Sequence, residues 1–164
     1  MQAIVKSITG ALGGTVPGEL IVALVSMIPI LELRGSLLAA GALKMKFLST
    51  FIAAVIGNML PIPFILLFID KIFAWLKKTR FKNTVEKLEN KALSKSAQIE
   101  KYGKWGLLLF VGIPLPGTGA WTGALIASLL RMKKRDSLLF IFLGVLLAGL
   151  IMSLVAFGII KQVV

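Results

Sequence analysis

Four long apolar stretches organise the chain, spanning Leu20 to Leu43, Phe47 to Leu76, Trp105 to Leu130 and Ser137 to Ile160, with polar residues gathered between them. The second and fourth are continuous and long enough as helices to cross a hydrocarbon core of about 30 Å, which takes roughly 20 residues. The first and third are interrupted. Pro29 and Gly35 break the first, and Pro114, Pro116, Gly117, Gly119 and Gly123 break the third. Each interrupted stretch is predicted to turn back on itself. A first leg from Glu19 to Leu31 would rise about 20 Å at 1.5 Å per residue, past the middle of the bilayer without crossing it. The predicted fold is all-α: an integral membrane protein with two re-entrant helical hairpins and two full transmembrane helices.

The two halves repeat weakly. Ile28-Pro29 matches Ile113-Pro114, Lys44-Met45-Lys46 matches Arg131-Met132-Lys133, and Gly57 matches Gly144, with a two-residue insertion near the second tip. This divides one membrane domain, residues 1–164, into a first repeat at 19–76, a basic helix or loop at 77–104 and a second repeat at 105–164. Ahead of them, Ile4, Val5, Ile8, Ala11 and Leu12 recur at helical spacing before Gly13, Gly14, Pro17 and Gly18. That pattern predicts a short amphipathic helix in the membrane interface over 1–18. It lacks the continuous apolar core of a cleaved signal.

Composition agrees with a membrane setting: 57% of residues are hydrophobic, 16% are charged and the mean hydropathy is +0.92. The net charge of +12 would suggest nucleic acid in a soluble chain. Here most cations lie between Lys77 and Lys104 or between Arg131 and Arg135, beside membrane segments, where the positive-inside rule accounts for them. Four simple crossings would put these two basic stretches on opposite sides. Two hairpins and two crossings put both in the cytoplasm, leaving Lys6, Lys44, Lys46 and Lys161 outside. The hairpins then enter from opposite faces, as an inverted repeat of the kind found in secondary transporters. The expected location is the plasma membrane of a prokaryote, multi-pass, with the basic loops cytoplasmic.

Neither cysteine nor histidine occurs, so there is no disulfide framework, thiol nucleophile, imidazole relay or His-based metal site. No phosphate-binding loop, dinucleotide fingerprint or nucleophilic serine motif is present. No enzyme activity, cofactor or metal is expected.

Glu32 and Arg34 are the first chemical candidates. An ionised group at bilayer depth costs about 2.5 to 3.5 kcal/mol on insertion scales, so both need partners or a task. One reading is an ion pair that pins the hairpin around a turn at Gly35. The other gives Arg34 a planar donor fork for an anionic headgroup and gives Glu32 a transportable proton. The two readings are compatible. The second tip carries no charge; Pro114, Pro116, Gly117, Thr118, Gly119, Trp121 and Thr122 offer close backbone approach and exposed N–H groups for an anion, or simply a tight turn. Asn58, ahead of Pro61 and Pro63, is a polar candidate for the same cavity, with Pro29 and Gly35 shaping the first tip.

Other features have simpler readings. Trp75 and Trp105 suit an interfacial aromatic belt, and Asp70-Lys71 suits a helix end. Asp136 suits an N-cap. Gly119, Gly123 and Ala127, and Gly144 with Ala148, suit close helix packing. Phe81, Val85, Leu88 and Ala92 share one face of a predicted surface helix over Arg80 to Tyr102, lying on anionic lipid.

The runs Ile28-Pro29-Ile30-Leu31-Glu32-Leu33-Arg34-Gly35 and Ile113-Pro114-Leu115-Pro116-Gly117-Thr118-Gly119-Ala120-Trp121 resemble the putative small multidrug export protein family. That family is distantly similar to the DedA superfamily, whose members are implicated in proton-coupled movement of lipids such as undecaprenyl phosphate through paired re-entrant hairpins. The resemblance implies that Glu32 and Arg34 match the first hairpin's acidic and basic positions. Where DedA proteins bring an arginine in the second hairpin, this chain has Thr118, Trp121 and Thr122. The expected function is a proton- or ion-coupled secondary transporter moving an amphiphile or an anionic lipid such as a polyprenyl phosphate. Export of lipophilic cations and a non-transporting membrane scaffold are the alternatives. Expected partners are membrane lipids and further copies of the chain, in a homodimer or larger assembly, because two crossings shield a midplane site poorly.

Overall fold

A computed structural model describes residues 17–158. Within them the chain is helical, with no strand. The elements are α1 (Gly18–Ser26), α2 (Glu32–Ala42), α3 (Phe47–Met59), α4 (Ile62–Leu76), α5 (Lys82–Leu93), α6 (Ala97–Gly112), α7 (Ala120–Leu129) and α8 (Lys134–Ser153), the last running into a π-helical turn, Leu154–Gly158. The predicted interfacial helix over 1–18 lies outside the described residues, apart from its end at Pro17 and Gly18.

Among the described residues two helical runs are long and apolar enough to cross a membrane, Phe47–Leu76 with 30 residues and Lys134–Gly158 with 25. The first pauses only at Leu60 and Pro61, where the missing N–H of proline interrupts the hydrogen-bond ladder between α3 and α4. The second begins three residues before the expected Ser137. Asp136 therefore sits in the first turn of α8 rather than at its N-cap, still where a carboxylate complements the helix dipole.

The chain forms two compact units. Among described residues, the first contains α1, α2, α3 and the end of α8 from Val145, with the π turn. The second runs from Pro61 to Gly144 and contains α4 to α7 and the start of α8. Each unit is thus a helical hairpin held by the front part of one long helical run and the back part of the other.

In the first unit α1 and α2 lie antiparallel. The hydroxyls of Ser26 and Ser36 share a hydrogen bond of 2.5 Å near the turn, while at the open end a Cβ on Gly18 would lie 2.7 Å from Met45 Cε. The first leg ends at Ser26, earlier than the expected Leu31, because Pro29 cannot donate to the ladder and disfavours helical backbone at Ile28. The reversal occupies Met27 to Leu31. Gly35 is not the turn: it lies inside α2, its N–H donating to the Leu31 carbonyl at 2.8 Å. Its missing Cβ instead admits Leu31, whose Cβ would be 3.1 Å from one built there. Both legs pack on α3, and a Cβ on Gly57 would fall 2.1 Å from the Ala23 carbonyl oxygen.

In the second unit the basic segment folds less simply than one amphipathic helix over Arg80 to Tyr102. α5 ends at Leu93, and α6 reverses at Gly103, whose φ of 57° and ψ of −132° suit glycine. The reversal brings the backbone together, since a Cβ on Gly106 would lie 2.3 Å from the Gln98 carbonyl oxygen. Val85 and Ala92 are buried, whereas Phe81 and Leu88 remain exposed, so the predicted face is divided between protein and surroundings. α5 spends its buried half on α7. After Gly103, α6 and α7 make the second hairpin, with Gly123 closing against Val111 and Leu107.

Two local geometries recur in both halves. Lys44 and Arg131 each adopt left-handed backbone, φ 54° and 53°, just beyond a hairpin's second leg. The Lys44 and Met45 N–H groups donate to Gly41 and Ala40, and the Arg131 and Met132 N–H groups donate to Ser128 and Ala127, which is the Schellman pattern. In parallel with Gly57 on Ala23, a Cβ on Gly144 would lie 2.9 Å from the Leu108 carbonyl oxygen.

Candidate functional site

Glu32 opens α2 at the end of the first turn, is 6% exposed and has a φ of 48°. Left-handed backbone at a non-glycine residue costs on the order of 1 to 3 kcal/mol. At Lys44 and Arg131 the same conformation is part of a helix C-cap, where it satisfies orphan carbonyls. At Glu32 it begins a helix, and what it achieves is to set the carboxylate inward. Arg34 lies two residues on and interacts electrostatically with Glu32. Pro29 and Ile30 are exposed at the crest of this turn, Ile30 to 91%.

Below the turn, α1 and α2 enclose an apolar groove of about 170 Å3 walled by Ile21, Val22, Val25, Ala39, Ala40 and Leu43. The hydroxyl pair closes it. Ser36 Oγ donates to the Leu33 carbonyl at 3.0 Å, which leaves Ser26 as donor to Ser36. At the open end Ser49 Oγ donates to Glu19 Oε1 at 3.0 Å. A hydrogen bond from its own backbone N–H holds the Glu19 carboxyl below its usual range, with further lowering from the Ser49 hydroxyl and the Lys46 charge. Asn58 is buried in α3, and its Oδ1 has no hydrogen-bond partner among the described residues.

The second turn, Ile113 to Gly119, is built by glycine and threonine. Gly117 and Gly119 have φ of 76° and 143°, open to glycine alone at little cost. Thr118 Oγ1 donates to the carbonyls of Ile113 and Leu115 at 3.0 and 2.8 Å, tying the turn across its base. Gly119 then caps α7 rather than serving as a packing position, whereas Gly123 and Ala127 do pack closely. Pro116 and Gly117 are exposed, Pro114, Trp121 and Thr122 are half-buried, and Trp121 stands in the first turn of α7.

This turn is not uncharged in three dimensions. Lys95 Nζ donates to the Gly117 carbonyl at 2.9 Å. The reversal at Gly103 folds the start of α6 back along its own continuation and carries the Ser94-Lys95-Ser96 connection up to the turn. By sequence Lys95 is one of several lysines between Lys77 and Lys104. The available signal was the pair of serines around it, which interrupts the apolar spacing after Ala92 and marks a helix end. Ser96 Oγ also hydrogen-bonds the Glu100 carboxylate, fixing the restart.

Trp75 and Trp105 are exposed, as an interfacial position requires, and Trp105 meets Phe140 edge to face at 5.0 Å. Asp70 accepts a hydrogen bond from Ser128 Oγ at 2.8 Å, a link between α4 and α7 that spacing alone did not suggest. Among the described residues no group of histidine, cysteine and carboxylate side chains could hold a metal ion.

No curated protein and no solved structure matches the chain. A family model described as putative small multi-drug export protein matches residues 32–151, beginning at Glu32 and covering well over half of the sequence. The chain, a helical protein with two membrane-capable runs, is a membrane protein of the putative small multi-drug export family.

Proposed function

We propose that this protein is a secondary transporter coupled to protons or another ion, and that it moves an amphiphile or anionic lipid across the plasma membrane of a prokaryote. Membership of an export family supports transport. The observation that carries the finer reading is the first turn: a buried carboxylate on strained backbone, with a guanidinium two residues away. Strain of that kind persists where the surroundings enforce it, and such positions cluster at functional sites. Glu32 is the coupling group and Arg34 the headgroup contact. The apolar groove beneath them suits a hydrocarbon tail.

In this reading both hairpins are re-entrant and enter from opposite faces. From Gly103 to Gly112 the second hairpin's first leg rises about 14 Å at 1.5 Å per residue, roughly half a hydrocarbon core. The basic segments face the cytoplasm. Lys95 supplies the cation at the second turn that Thr118, Trp121 and Thr122 do not, and further copies of the chain shield the site from lipid.

The family description itself favours a second reading, export of lipophilic cations. Arg34 opposes it by repelling cations from the same turn. Uptake assays in proteoliposomes under an imposed pH gradient separate the two. Glu32→Gln is expected to abolish gradient-driven transport with folding and oligomer size unchanged. Arg34→Ala is expected to weaken binding of an anionic lipid more than that of a cationic dye. Gradient-driven transport surviving in Glu32→Gln removes the coupling role, and the opposite binding order in Arg34→Ala establishes drug export.

A further inference from the structure

A polar cavity lies at the opposite end of α7 from the turn Ile113 to Gly119. α4, α5 and α7 flank a half-open cleft of about 340 Å3 lined by Phe73, Lys77, Glu89 and Ser128, with Asp70 and Arg131 exposed at its mouth. A single water needs only about 10 to 15 Å3 on the same measure. All of these residues belong to the Pro61–Gly144 unit.

The four charged side chains are unequally matched. Lys77 Nζ and Glu89 Oε2 are 2.6 Å apart and neutralise one another. Asp70 is oriented by the Ser128 hydroxyl but has no cation within 4 Å among the described residues, and Arg131 has no carboxylate within that distance. The cavity therefore presents one negative and one positive wall group, with a net formal charge of zero. A purely anionic ligand gains from Arg131 and is repelled by Asp70, and a purely cationic one meets the reverse. A ligand with both charges engages both.

Position narrows the ligand further. Asp70 and Lys77 stand where the apolar run Phe47–Leu76 gives way to Lys77, Lys78 and Arg80, and Arg131 opens the basic run that ends at Arg135. Exposed Trp75 lies between Asp70 and Lys77 in sequence. Polar pockets at this depth between membrane helices meet lipid headgroups.

We propose that this cavity binds the headgroup of an amine-bearing zwitterionic phospholipid. The phosphate sits on the Arg131 guanidinium, a planar fork suited to its oxygens, and the primary ammonium sits on the Asp70 carboxylate held by Ser128. The bound lipid braces α4 against α7, a role separate from any transport at the hairpin turns.

The test is native mass spectrometry of the full chain in detergent, titrated with equal amounts of dioleoyl phosphatidylethanolamine and dioleoyl phosphatidylglycerol. The wild type is expected to retain the ethanolamine lipid over the glycerol lipid by about fivefold, the scale of one partly exposed ion pair. Asp70→Asn keeps the side chain's shape and can still accept from Ser128, while leaving the cavity positive; the preference is expected to reverse. Arg131→Gln is expected to lower retention of both lipids. Thermal unfolding in detergent identifies any variant that fails to fold, and the wild-type lipid ratio tests the proposal without a variant. Equal retention by the wild type, or an unchanged ratio in folded Asp70→Asn, overturns it. Competition by soluble glycerophosphoethanolamine at the lipid's own affinity also overturns it, by assigning the cavity to a solute.

Discussion

Lys95 Nζ donates to the carbonyl oxygen of Gly117 at 2.9 Å, joining residues 22 positions apart. The contact places a cation from the basic segment on the turn of the second hairpin. It also requires glycine at its other end, since a Cβ on Gly117 would lie only 2.0 Å from the ammonium and the φ of 76° resists any side chain. Lys95→Met is expected to reduce proteoliposome transport of an anionic amphiphile by about tenfold, equivalent to one charge-assisted contact of roughly 1.4 kcal/mol. Lys95→Arg should restore most of it. Equal transport by the wild type and Lys95→Met would show that the contact only steadies the turn.

Gly57 and Gly144 lean on the carbonyls of Ala23 and Leu108. A side chain at Gly57 meets backbone, which cannot rotate aside, so the hairpin must separate from its supporting helix. Gly57→Ala is expected to destabilise by about 1 to 3 kcal/mol, the usual range for overpacking, and Gly57→Leu by more. Gly144→Ala, whose Cβ would meet Val111 Cβ at 2.7 Å and the Leu108 carbonyl at 2.9 Å, against 2.1 Å to the Ala23 carbonyl at Gly57, should cost less. Thermal or denaturant unfolding in detergent ranks them, and an inverted order contradicts the packing.

The Glu19 carboxyl sits below its usual range because of its own backbone N–H first and the Ser49 hydroxyl and Lys46 charge after it. A folded-state pKa below the unfolded one, about 4.3 for glutamate, gives stability that is present above that value and lost as pH falls through the folded pKa. Glu19→Gln is expected to flatten the acid limb of the stability curve below about pH 4.3 and to leave its shape near neutrality unchanged. Unfolding midpoints recorded across the acid range supply the test, and an unaltered acid limb refutes it.

The proposed entry of the two hairpins from opposite faces predicts opposite accessibility at their corresponding basic triplets. In this cysteine-free chain, single cysteines at Lys46 and Lys133 should react with a membrane-impermeant maleimide from different faces of oriented vesicles. Labelling of both from one face excludes opposed hairpins.

Hydropathy determined a good part of this protein by itself. A helical run of 30 residues from Phe47 to Leu76 follows from apolar length, because helices satisfy their own backbone where water is scarce. The match of Lys44-Met45-Lys46 to Arg131-Met132-Lys133 was legible too, and the two triplets share one capping geometry. Glu32 and Arg34 stood out as charges in an apolar stretch. What the pattern could not fix was where each turn falls: Gly35 is the residue with conformational freedom, yet the chain reverses before it and strains Glu32 instead. Lys95 on Gly117 and Ser128 on Asp70 were equally hidden, being pairs 22 and 58 residues apart. Local sequence sets the period and length of a helix through short-range sterics and burial. Which distant side chains meet depends on how reversals at Gly103 and Met27–Leu31 fold the helices together, and only tertiary packing decides that.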